Sequence, residues 1–527
     1  MRIISMTTVS IVSYHSVAYF SLLSGEKVNC SKTRELNIPS RPETLDSISG
    51  MGRSSKAANT GFMLLGQFIG KGSLFLSIIF LSRYLSNGDF GGLLFVVVLG
   101  QIYLGLSDMG VSLILNMRSS IHPDDTQELL SASFTLRIIL ALLGLPILML
   151  AGVLLSMSPA RMLILGIIGI SVLFESFAEM FYSVFRASEK MIYESICRIL
   201  MGIAGLGAVL LLIQFRMDLT AIASAYVVRA LAATIAAAVF LRRIGFSLMP
   251  SIDKEKIKEL FITALPLGIM GLVTVVHLRA DNILIRQILG ENAVAAWQEC
   301  LRIIEIMLLL VSPTLLPGAL FPSLCRAFRD GGYKQQTGHM ARIFTALAVA
   351  PFLAVLSAGN RFLRFVWGNN YLRGIDATEL QLCLYLCLAG LATMYFTIIM
   401  LSSLMAVNKV RIVVPVTTAA LILVISGNLL LMPVLGLLSA GILLVAGNLL
   451  MLVSYWLFLW WRGYHVPIWR DTFISILASV PAFAVIPLTR KLPFLPSLLI
   501  PALVFIPVWW FTGGGKAIRE IFPHKPE

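Results

Sequence analysis

The chain has 527 residues, of which 58% are hydrophobic and only 13% are charged. Soluble domains carry about 25% charged residues, so a water-soluble fold is excluded for most of the sequence. The formal net charge of +14 would suggest a nucleic-acid partner in a soluble protein. Here the Lys and Arg residues collect in short loops between apolar segments, as in the cytoplasmic loops of membrane proteins. We therefore expect no binding to nucleic acid.

Residues 1–56 differ from the rest of the chain because they are rich in Ser and Thr and polar overall. The weakly apolar stretch from Ile3 to Leu23 contains His15, and no clear small-residue cleavage site follows it. We predict a poorly ordered N-terminal extension. Met51 stands directly before the first strongly apolar segment, and it is a second candidate for the true start of the protein.

Long apolar segments alternate with short polar turns from Ala57 onward. Crossing the hydrocarbon layer takes about 20 helical residues, so the pattern predicts an all-α polytopic membrane protein with about 14 transmembrane helices. The predicted spans are 57–83, 90–116, 129–157, 161–185, 192–214, 219–241, 259–288, 293–325, 340–366, 378–406, 411–432, 435–461, 472–489 and 494–511. The segments are continuously apolar, whereas barrel strands alternate polar and apolar residues.

The distribution of basic residues predicts the orientation of these spans. With the N-terminus in the cytoplasm, the cytoplasmic loops hold more than twice as many Lys and Arg residues as the opposite loops, as the positive-inside rule requires. The basic residues left on the opposite side are Arg83, Arg161, Arg216, Arg361, Arg364, Arg373, Arg490 and Lys491. An even number of spans returns the C-terminus to the cytoplasm, so we expect both termini there.

The longest charged cytoplasmic loop divides the first twelve spans into two sets of six, a recurrent transporter plan. The predicted organisation is an extension at 1–56, an N-lobe at 57–241, an inter-lobe loop at 242–258, a C-lobe at 259–461, two further helices at 472–511 and a cytoplasmic tail at 512–527.

Charged residues inside the predicted spans are the candidate functional residues, because such charges usually face a wet cavity or a partner. Lys71 lies near the middle of the first span, one turn after Gln67. It either lines a cationic cavity for an anionic substrate or forms a structural pair, for example with Asp108. Glu175 and Glu179 share a helical face, and they either hold a proton or cation between them or meet water at the helix end.

Two further clusters are interpreted in the same way. Glu194 and Arg198 have the spacing of an intrahelical ion pair. His277, Arg279 and Asp281 lie within the seventh span. The residues Gln298, Arg302 and Glu305 form one stripe of the eighth span. That stripe either meets the seventh span across a cavity or forms a polar lock between packed helices.

No motif for a cofactor or a metal is present. Gly70-Lys71-Gly72-Ser73 fails as a phosphate-binding loop, because Leu65 and Gly72 stand where Gly and Ser or Thr are required. Gly66 and Gly70 instead form a GxxxG pair suited to close helix packing. The cysteines suggest apolar packing rather than a metal site or a disulfide framework. We expect no cofactor, no metal and no enzymatic activity.

Short motifs resemble those of bacterial polysaccharide flippases (Wzx-type). They run in order from Asn59 to Met405. The matching stretches are Asn59-Thr60-Gly61, Lys71, Leu81-Ser82-Arg83-Tyr84-Leu85 with Phe90-Gly91, Leu106-Ser107-Asp108-Met109-Gly110-Val111, Phe185-Arg186-Ala187-Ser188-Glu189-Lys190-Met191-Ile192-Tyr193, Leu278-Arg279-Ala280-Asp281-Asn282-Ile283-Leu284-Ile285 with Leu289-Gly290, Leu301-Arg302-Ile303-Ile304-Glu305 and Val366-Trp367-Gly368-Asn369-Asn370-Tyr371. Trp297 and Trp367 replace residues that are commonly Tyr and Phe in the family.

The resemblance implies the fold of the multidrug/oligosaccharidyl-lipid/polysaccharide exporter superfamily, with two six-helix lobes around a central cavity and two extra C-terminal helices. It also implies alternating access in a bacterial cytoplasmic membrane. The cargo would be an oligosaccharide linked to an undecaprenyl-type diphosphate, flipped for polysaccharide or lipopolysaccharide synthesis. A polysaccharide polymerase and glycosyltransferases are the implied protein partners.

The charges suggest which residues would serve that function. Lys71, Arg137, Arg279 and Arg302 are the candidates for neutralising a lipid diphosphate. The candidates for ion coupling or structural polar contacts are Asp108, Glu175, Glu179, His277, Asp281 and Glu305. The alternatives are a cation-coupled multidrug antiporter of the same fold, which requires acidic cavity groups, a membrane enzyme that polymerises or ligates the same glycans, and a transport-inactive scaffold.

Overall fold

The computed structural model describes residues 54–310, 321–368, 371–372, 374–407, 409 and 412–521. These described residues form helices and connecting turns, and they contain no strand. They fall into two compact units that divide between Ile283 and Leu284. The predictions for residues 1–50 and for Met51 lie outside the described residues.

Unit 1 contains the first eight helices and the first turn of the ninth, up to Ile283. Their bounds are α1 Ser54–Tyr84, α2 Asn87–Asp108, α3 Val111–Ile121, α4 Thr126–Leu154, α5 Pro159–Ala187, α6 Met191–Gln214, α7 Leu219–Arg243, α8 Lys254–His277 and α9 Ala280–Leu289. A 3-10 turn at Pro123–Asp125 precedes α4. Helix α8, which belongs to the seventh predicted span, packs against α2, α3 and α4.

Unit 2 contains the remaining helices. Their bounds are α10 Glu291–Leu310, α11 Phe321–Asp330, α12 Tyr333–Ala358, α13 Asn360–Trp367, α14 Ala377–Ala406, α15 Val413–Leu435, α16 Leu438–Trp461, α17 Ile468–Leu477, α18 Val480–Thr489, α19 Phe494–Trp509 and α20 Gly515–Ile521. The last helices pack on α12, where Ala482 and Phe505 join Leu353 in an apolar cluster. Arg342 Nε of α12 also donates to Asp471 of α17 at 2.5 Å.

Twelve segments of the described residues are long and apolar enough to cross a membrane. Each one overlaps a span predicted from the sequence, which confirms an all-helical multi-pass membrane fold. Helix α1 covers the predicted span 57–83, and helix α10 covers the first part of the predicted span 293–325, but neither is among the twelve. The total of 14 spans therefore stays a prediction.

Short polar residues begin several of these helices. Ser86 accepts a hydrogen bond from the backbone of Asp89 at the start of α2, and Asp218 accepts one from Ala221 at the start of α7. Asp376 caps α14 by accepting from the backbone N–H groups of Thr378 and Glu379, and these hydrogen bonds hold the pKa of Asp376 below its usual value. Such caps satisfy backbone donors that a helix start leaves without partners.

Helices α1 and α6 approach each other closely because glycine lies where they cross. A Cβ atom on Gly70 would lie 2.7 Å from the carbonyl oxygen of Arg198, and one on Gly202 would lie 2.8 Å from the Cα of Gly70. Gly66 faces Ser195 at a similar distance. The close packing predicted from the GxxxG pair is confirmed, and it brings Lys71 and Arg198 to one place in unit 1.

We predict that Gly70→Ala destabilises unit 1, because its new methyl group would displace the backbone of α6. An overpacked site typically costs about 1–3 kcal/mol. Thermal unfolding of the purified protein in detergent should shift to lower temperature. Gly72→Ala is the matched control, since nothing lies within 4 Å of a Cβ at Gly72. Equal unfolding temperatures for the two variants would contradict this packing.

Candidate functional site

Five charged residues of unit 1 meet in a polar core that its helices enclose. Glu175 and Glu179 come from α5, Glu194 and Arg198 come from α6, and Arg229 comes from α7. All five are buried, with 8% relative exposure or less. Charges at such depth are stable only beside opposite charges or strong hydrogen-bond partners.

Glu179, Glu194 and Arg198 form one network together with Arg186, which joins α5 to α6 and which we call the α5–α6 network. Glu194 accepts hydrogen bonds from Arg198 at 2.5 Å and from Arg186 at 2.9 Å. Glu179 lies 3.4 Å from Arg198 and 3.5 Å from Arg186. The ion pair predicted from the spacing of Glu194 and Arg198 is confirmed, and each carboxylate lies beside two guanidinium groups.

Arg186 follows directly after the predicted span 161–185, but in the structure it lies in the last turn of α5 and belongs to this network. Its position seven residues after Glu179 puts both side chains on one helical face, and that spacing is the signal that could have found it. The guanidinium of Arg198 also lies 4.6 Å above the ring centre of Tyr182. This cation–π contact further stabilises the buried charge.

A separate ion pair joins α5 to α7. Arg229 Nη2 donates to Glu175 at 3.1 Å, and both side chains are almost fully buried. Glu175 and Glu179 were predicted either to hold a proton or cation between them or to meet water at the helix end. The structure shows that each is held by arginine, through Arg229 in one case and through Arg198 and Arg186 in the other.

Lys71 lies beside these pairs in a pocket between α1, α6 and α7. The polar residues of its lining are Gln67, Lys71, Ser77, Arg198 and Arg229, and the rest are apolar or glycine. The pocket has a volume of about 30 Å³.

The second predicted span is interrupted where α2 ends and α3 begins. Met109 and Gly110 both have left-handed backbone conformations, with φ of 39° and 79°. A Cβ on Gly110 would lie 2.8 Å from the carbonyl oxygen of Ala264 in α8, so glycine is required there both for its conformation and for space. The backbone of Met109 in turn lies directly against Gly268.

Asp108 satisfies the backbone at this break and also neutralises a buried arginine. Its carboxylate accepts from the N–H groups of Gly110 at 3.2 Å and Ser112 at 3.3 Å, and from Arg137 Nη2 at 2.5 Å. The Arg137 side chain is fully buried, and its Nε and Nη1 have no acceptor among the described residues. The sequence analysis suggested Lys71 as a partner of Asp108, and in the structure Arg137 is a partner of this carboxylate.

The remaining candidates are divided between the units. In unit 1, α8 ends at His277 and α9 begins at Ala280, so His277 and Asp281 flank a turn that contains the buried Arg279. Asp281 accepts from the backbone and side-chain amides of Asn282, at 2.8 and 2.7 Å. In unit 2, Arg302 donates to Glu305 at 2.7 Å and to Gln298 at 3.2 Å.

The comparisons with known proteins concern the family and the fold. The profile of the family described as polysaccharide biosynthesis protein matches residues 57–328. A search of the curated proteins finds no match. Among solved structures, the inward closed conformation of the lipid II flippase MurJ is similar, with a TM-score of 0.69 and 12% identity over 86% of this chain and 99% of that one.

Multidrug transporters are similar in structure as well. An inward-facing MATE family transporter of the MOP superfamily has a TM-score of 0.60 and 14% identity over 75% of this chain and 94% of that one. A MOP superfamily transporter from Pyrococcus furiosus, described by the reverse polarity of its binding pocket, has a TM-score of 0.56 and 13% identity. The match covers 77% of this chain and 95% of that one.

The fold is the one seen in flippases and MOP-type transporters. The chain belongs to the polysaccharide biosynthesis protein family, whose profile covers more than half of it.

We predict that Glu194→Ala lowers the stability of the protein more than the replacement of both Glu194 and Arg198 does. The single change leaves Arg186 and Arg198 sharing Glu179 alone, and breaking a buried pair costs about 3–5 kcal/mol. The double variant Glu194→Met, Arg198→Met removes one charge of each sign and should unfold at a higher temperature than Glu194→Ala. Glu259→Ala, which removes an exposed partner of Arg118, should change the unfolding temperature little. A double variant no more stable than the single one would contradict the network.

We also predict that Asp108→Asn destabilises unit 1. An asparagine oxygen can still accept from the backbone of α3, but it carries no charge to neutralise Arg137. The matched control is Asp89→Asn, whose carboxylate is 47% exposed and pairs with Arg161. Protein yield and thermal unfolding should fall for Asp108→Asn and remain near the wild-type values for Asp89→Asn. Equal effects would show that the Asp108–Arg137 pair contributes little.

Proposed function

We propose that this protein flips an oligosaccharide linked to an undecaprenyl-type diphosphate across the bacterial cytoplasmic membrane, by alternating access and for polysaccharide synthesis. The supporting observation is the binding of Glu175 and Glu179 to arginines inside unit 1. A cation antiporter needs acidic groups that can exchange a proton or a cation for its cargo. These two carboxylates already neutralise guanidinium groups, and that attraction is lost when a carboxylate is protonated.

The family and the sign of the buried charge support an anionic cargo. The family is that of polysaccharide biosynthesis proteins, and the similar structures include one described as a lipid II flippase. A diphosphate carries the negative charge that Lys71, Arg137, Arg279 and Arg302 would neutralise in a low dielectric. The Nε atom of Arg302 and two nitrogen atoms of Arg137 have no acceptor among the described residues. Each can therefore donate to a phosphate oxygen while its carboxylate partner stays bound.

The proposed roles of the acidic groups follow from their contacts. Asp108 and Glu305 hold Arg137 and Arg302 in position, since each carboxylate accepts a short hydrogen bond from its arginine. His277 and Asp281 flank the turn that carries Arg279, and we propose that they position it. The protein partners would be the glycosyltransferases that build the oligosaccharide and the polymerase that extends it.

Reconstituted vesicles test the transport reaction directly. A fluorescent undecaprenyl-diphosphate oligosaccharide in one leaflet is measured by its access to a membrane-impermeant quencher. We expect wild-type protein to equilibrate the lipid between leaflets, and we expect Lys71→Gln and Arg302→Gln to lower the rate at least tenfold. Lys254→Gln, at an exposed position, is the matched control and should retain the wild-type rate.

The same vesicles distinguish the antiporter alternative. A cationic dye loaded inside should not leave in response to a proton or sodium gradient. Gradient-driven dye efflux together with no lipid movement would overturn the proposal. Unchanged lipid movement in both cation variants would instead overturn the assignment of the binding residues.

A further inference from the structure

Basic residues gather at one end of unit 2, where the predicted orientation of the spans leads us to expect few of them. Arg361, Arg364, Arg490 and Lys491 belong to the loops predicted to lie opposite the cytoplasm, and all four are exposed. The first two lie on the short helix α13, and the other two lie between α18 and α19. We call these residues the α13–α18 basic cluster. The positive-inside rule places most Lys and Arg on the other side of a membrane, so this cluster needs a reason of its own.

Hydrogen bonds to the backbone fix two of its guanidinium groups. Arg361 donates to the carbonyl oxygens of Leu492 at 2.8 Å and Arg490 at 3.0 Å, and it also reaches that of Ala358 at 3.4 Å. Arg490 in turn donates to the carbonyl oxygen of Leu356 at 3.3 Å. These carbonyls lie at or just beyond the ends of α12 and α18, where helical partners are lacking. The two arginines therefore join the end of α12 to the end of α18.

The carbonyl groups orient these cations without cancelling their charge. Within the described parts of the chain, Arg361, Arg490 and Lys491 form no ion pair with a carboxylate, and the two arginines donate to backbone oxygens alone. A guanidinium group has five N–H donors and an ammonium group has three. Both arginines therefore keep donors that the carbonyls do not use. The cluster presents fixed positive charge at the surface of unit 2.

Exposed apolar side chains border the cluster. Phe365 of α13 is exposed, and its ring centre lies 4.5 Å from that of Phe494 at the start of α19. Leu488 and Leu495 are exposed on either side of Lys491 in the chain. In a membrane protein such apolar residues face the acyl chains, and basic side chains beside them reach the headgroup level. The surface thus offers positive charge and apolar area side by side, which are the two features that an anionic phospholipid requires.

We propose that the α13–α18 basic cluster binds an anionic glycerophospholipid of the surrounding membrane. The lipid phosphate accepts charge-assisted hydrogen bonds from Arg361 and Arg490, Lys491 adds its charge, and the acyl chains lie against Phe365 and Leu495. A zwitterionic phospholipid carries its own ammonium group, so the cluster attracts it less. Because the arginines join α12 to α18, the bound lipid also strengthens the packing of the last helices on α12. The site lies wholly within unit 2 and is independent of the cargo.

Photolabelling of the full-length protein in nanodiscs tests this assignment. Phosphatidylglycerol and phosphatidylcholine with the same diazirine acyl chain are added as trace probes to phosphatidylcholine nanodiscs, and mass spectrometry identifies the labelled peptides. We expect phosphatidylglycerol to label residues 361–367 and 488–499 at least about fivefold more than phosphatidylcholine does, the ratio that attraction to a single basic residue supplies.

Paired variants test which residues cause the preference. The ratio between the two lipids should fall to about one in the double variant Arg490→Gln, Lys491→Gln. The matched control is Arg462→Gln, Arg470→Gln, which removes two exposed arginines at the junction of α16 and α17 and should retain the wild-type ratio. Should the first double variant fail to fold, Lys491→Glu takes its place, because that exposed side chain makes no hydrogen bond or ion pair within the described residues. It should lower the ratio as well.

Three results would overturn the proposal. One is equal labelling of the wild type by the two lipids, since it would show only general contact with the bilayer. Another is a preference that survives replacement of Arg490 and Lys491, or of Lys491 by Glu where only that variant folds. The third is competition by glycerol 3-phosphate as strong as that by unlabelled phosphatidylglycerol, which would indicate a soluble phosphate as the ligand. No readout involves transport, so failure of the flippase proposal would leave this result unaffected, and the converse also holds.

Discussion

The structure of unit 1 depends on the neutralisation of buried guanidinium groups by carboxylates from neighbouring helices. In an apolar interior, separating such a pair leaves an isolated charge, and the cost is several kcal/mol for each ion. Glu179 and Glu194 therefore fix the register of α5 against α6, because only one alignment brings both beside Arg186 and Arg198. Arg229 and Glu175 fix α7 against α5 in the same way. Apolar side chains alone would allow neighbouring helices to slide.

Backbone polar groups impose the same requirement where a helix is interrupted. In a membrane, N–H and C=O groups that leave the helical pattern need other partners. At the break between α2 and α3 the carboxylate of Asp108 accepts from two backbone N–H groups and neutralises Arg137. Gly110 and Gly268 then allow α8 to approach the break closely. One acidic residue thus accepts hydrogen bonds from the backbone and also neutralises a buried charge, and both contacts stabilise the break.

The sequence predicts the features of this structure that arise within a single helix. Apolar length predicts the spans, spacing of four residues predicts the Glu194–Arg198 pair, and Gly66 with Gly70 predicts a close helix crossing. It does not predict contacts that depend on which helix faces meet. Arg137 is 29 residues from Asp108, and Arg229 is 54 residues from Glu175. Pairs of this kind follow from the packing of α4 and α7, which apolar composition leaves open. The sequence around Met109 also contains no proline that would predict the helix break there.

The charge of the polar core depends on pairs of residues at its helix interfaces rather than on any one residue. Converting it to the acidic core of a cation antiporter would require freeing Glu175 and Glu179. That change would mean replacing Arg229, Arg198 and Arg186, and those same side chains hold α5, α6 and α7 together. Stability and the sign of the charge in the polar core are therefore coupled through the same contacts. A change in that charge demands that several helix contacts change together, because any single replacement leaves a buried charge without its partner.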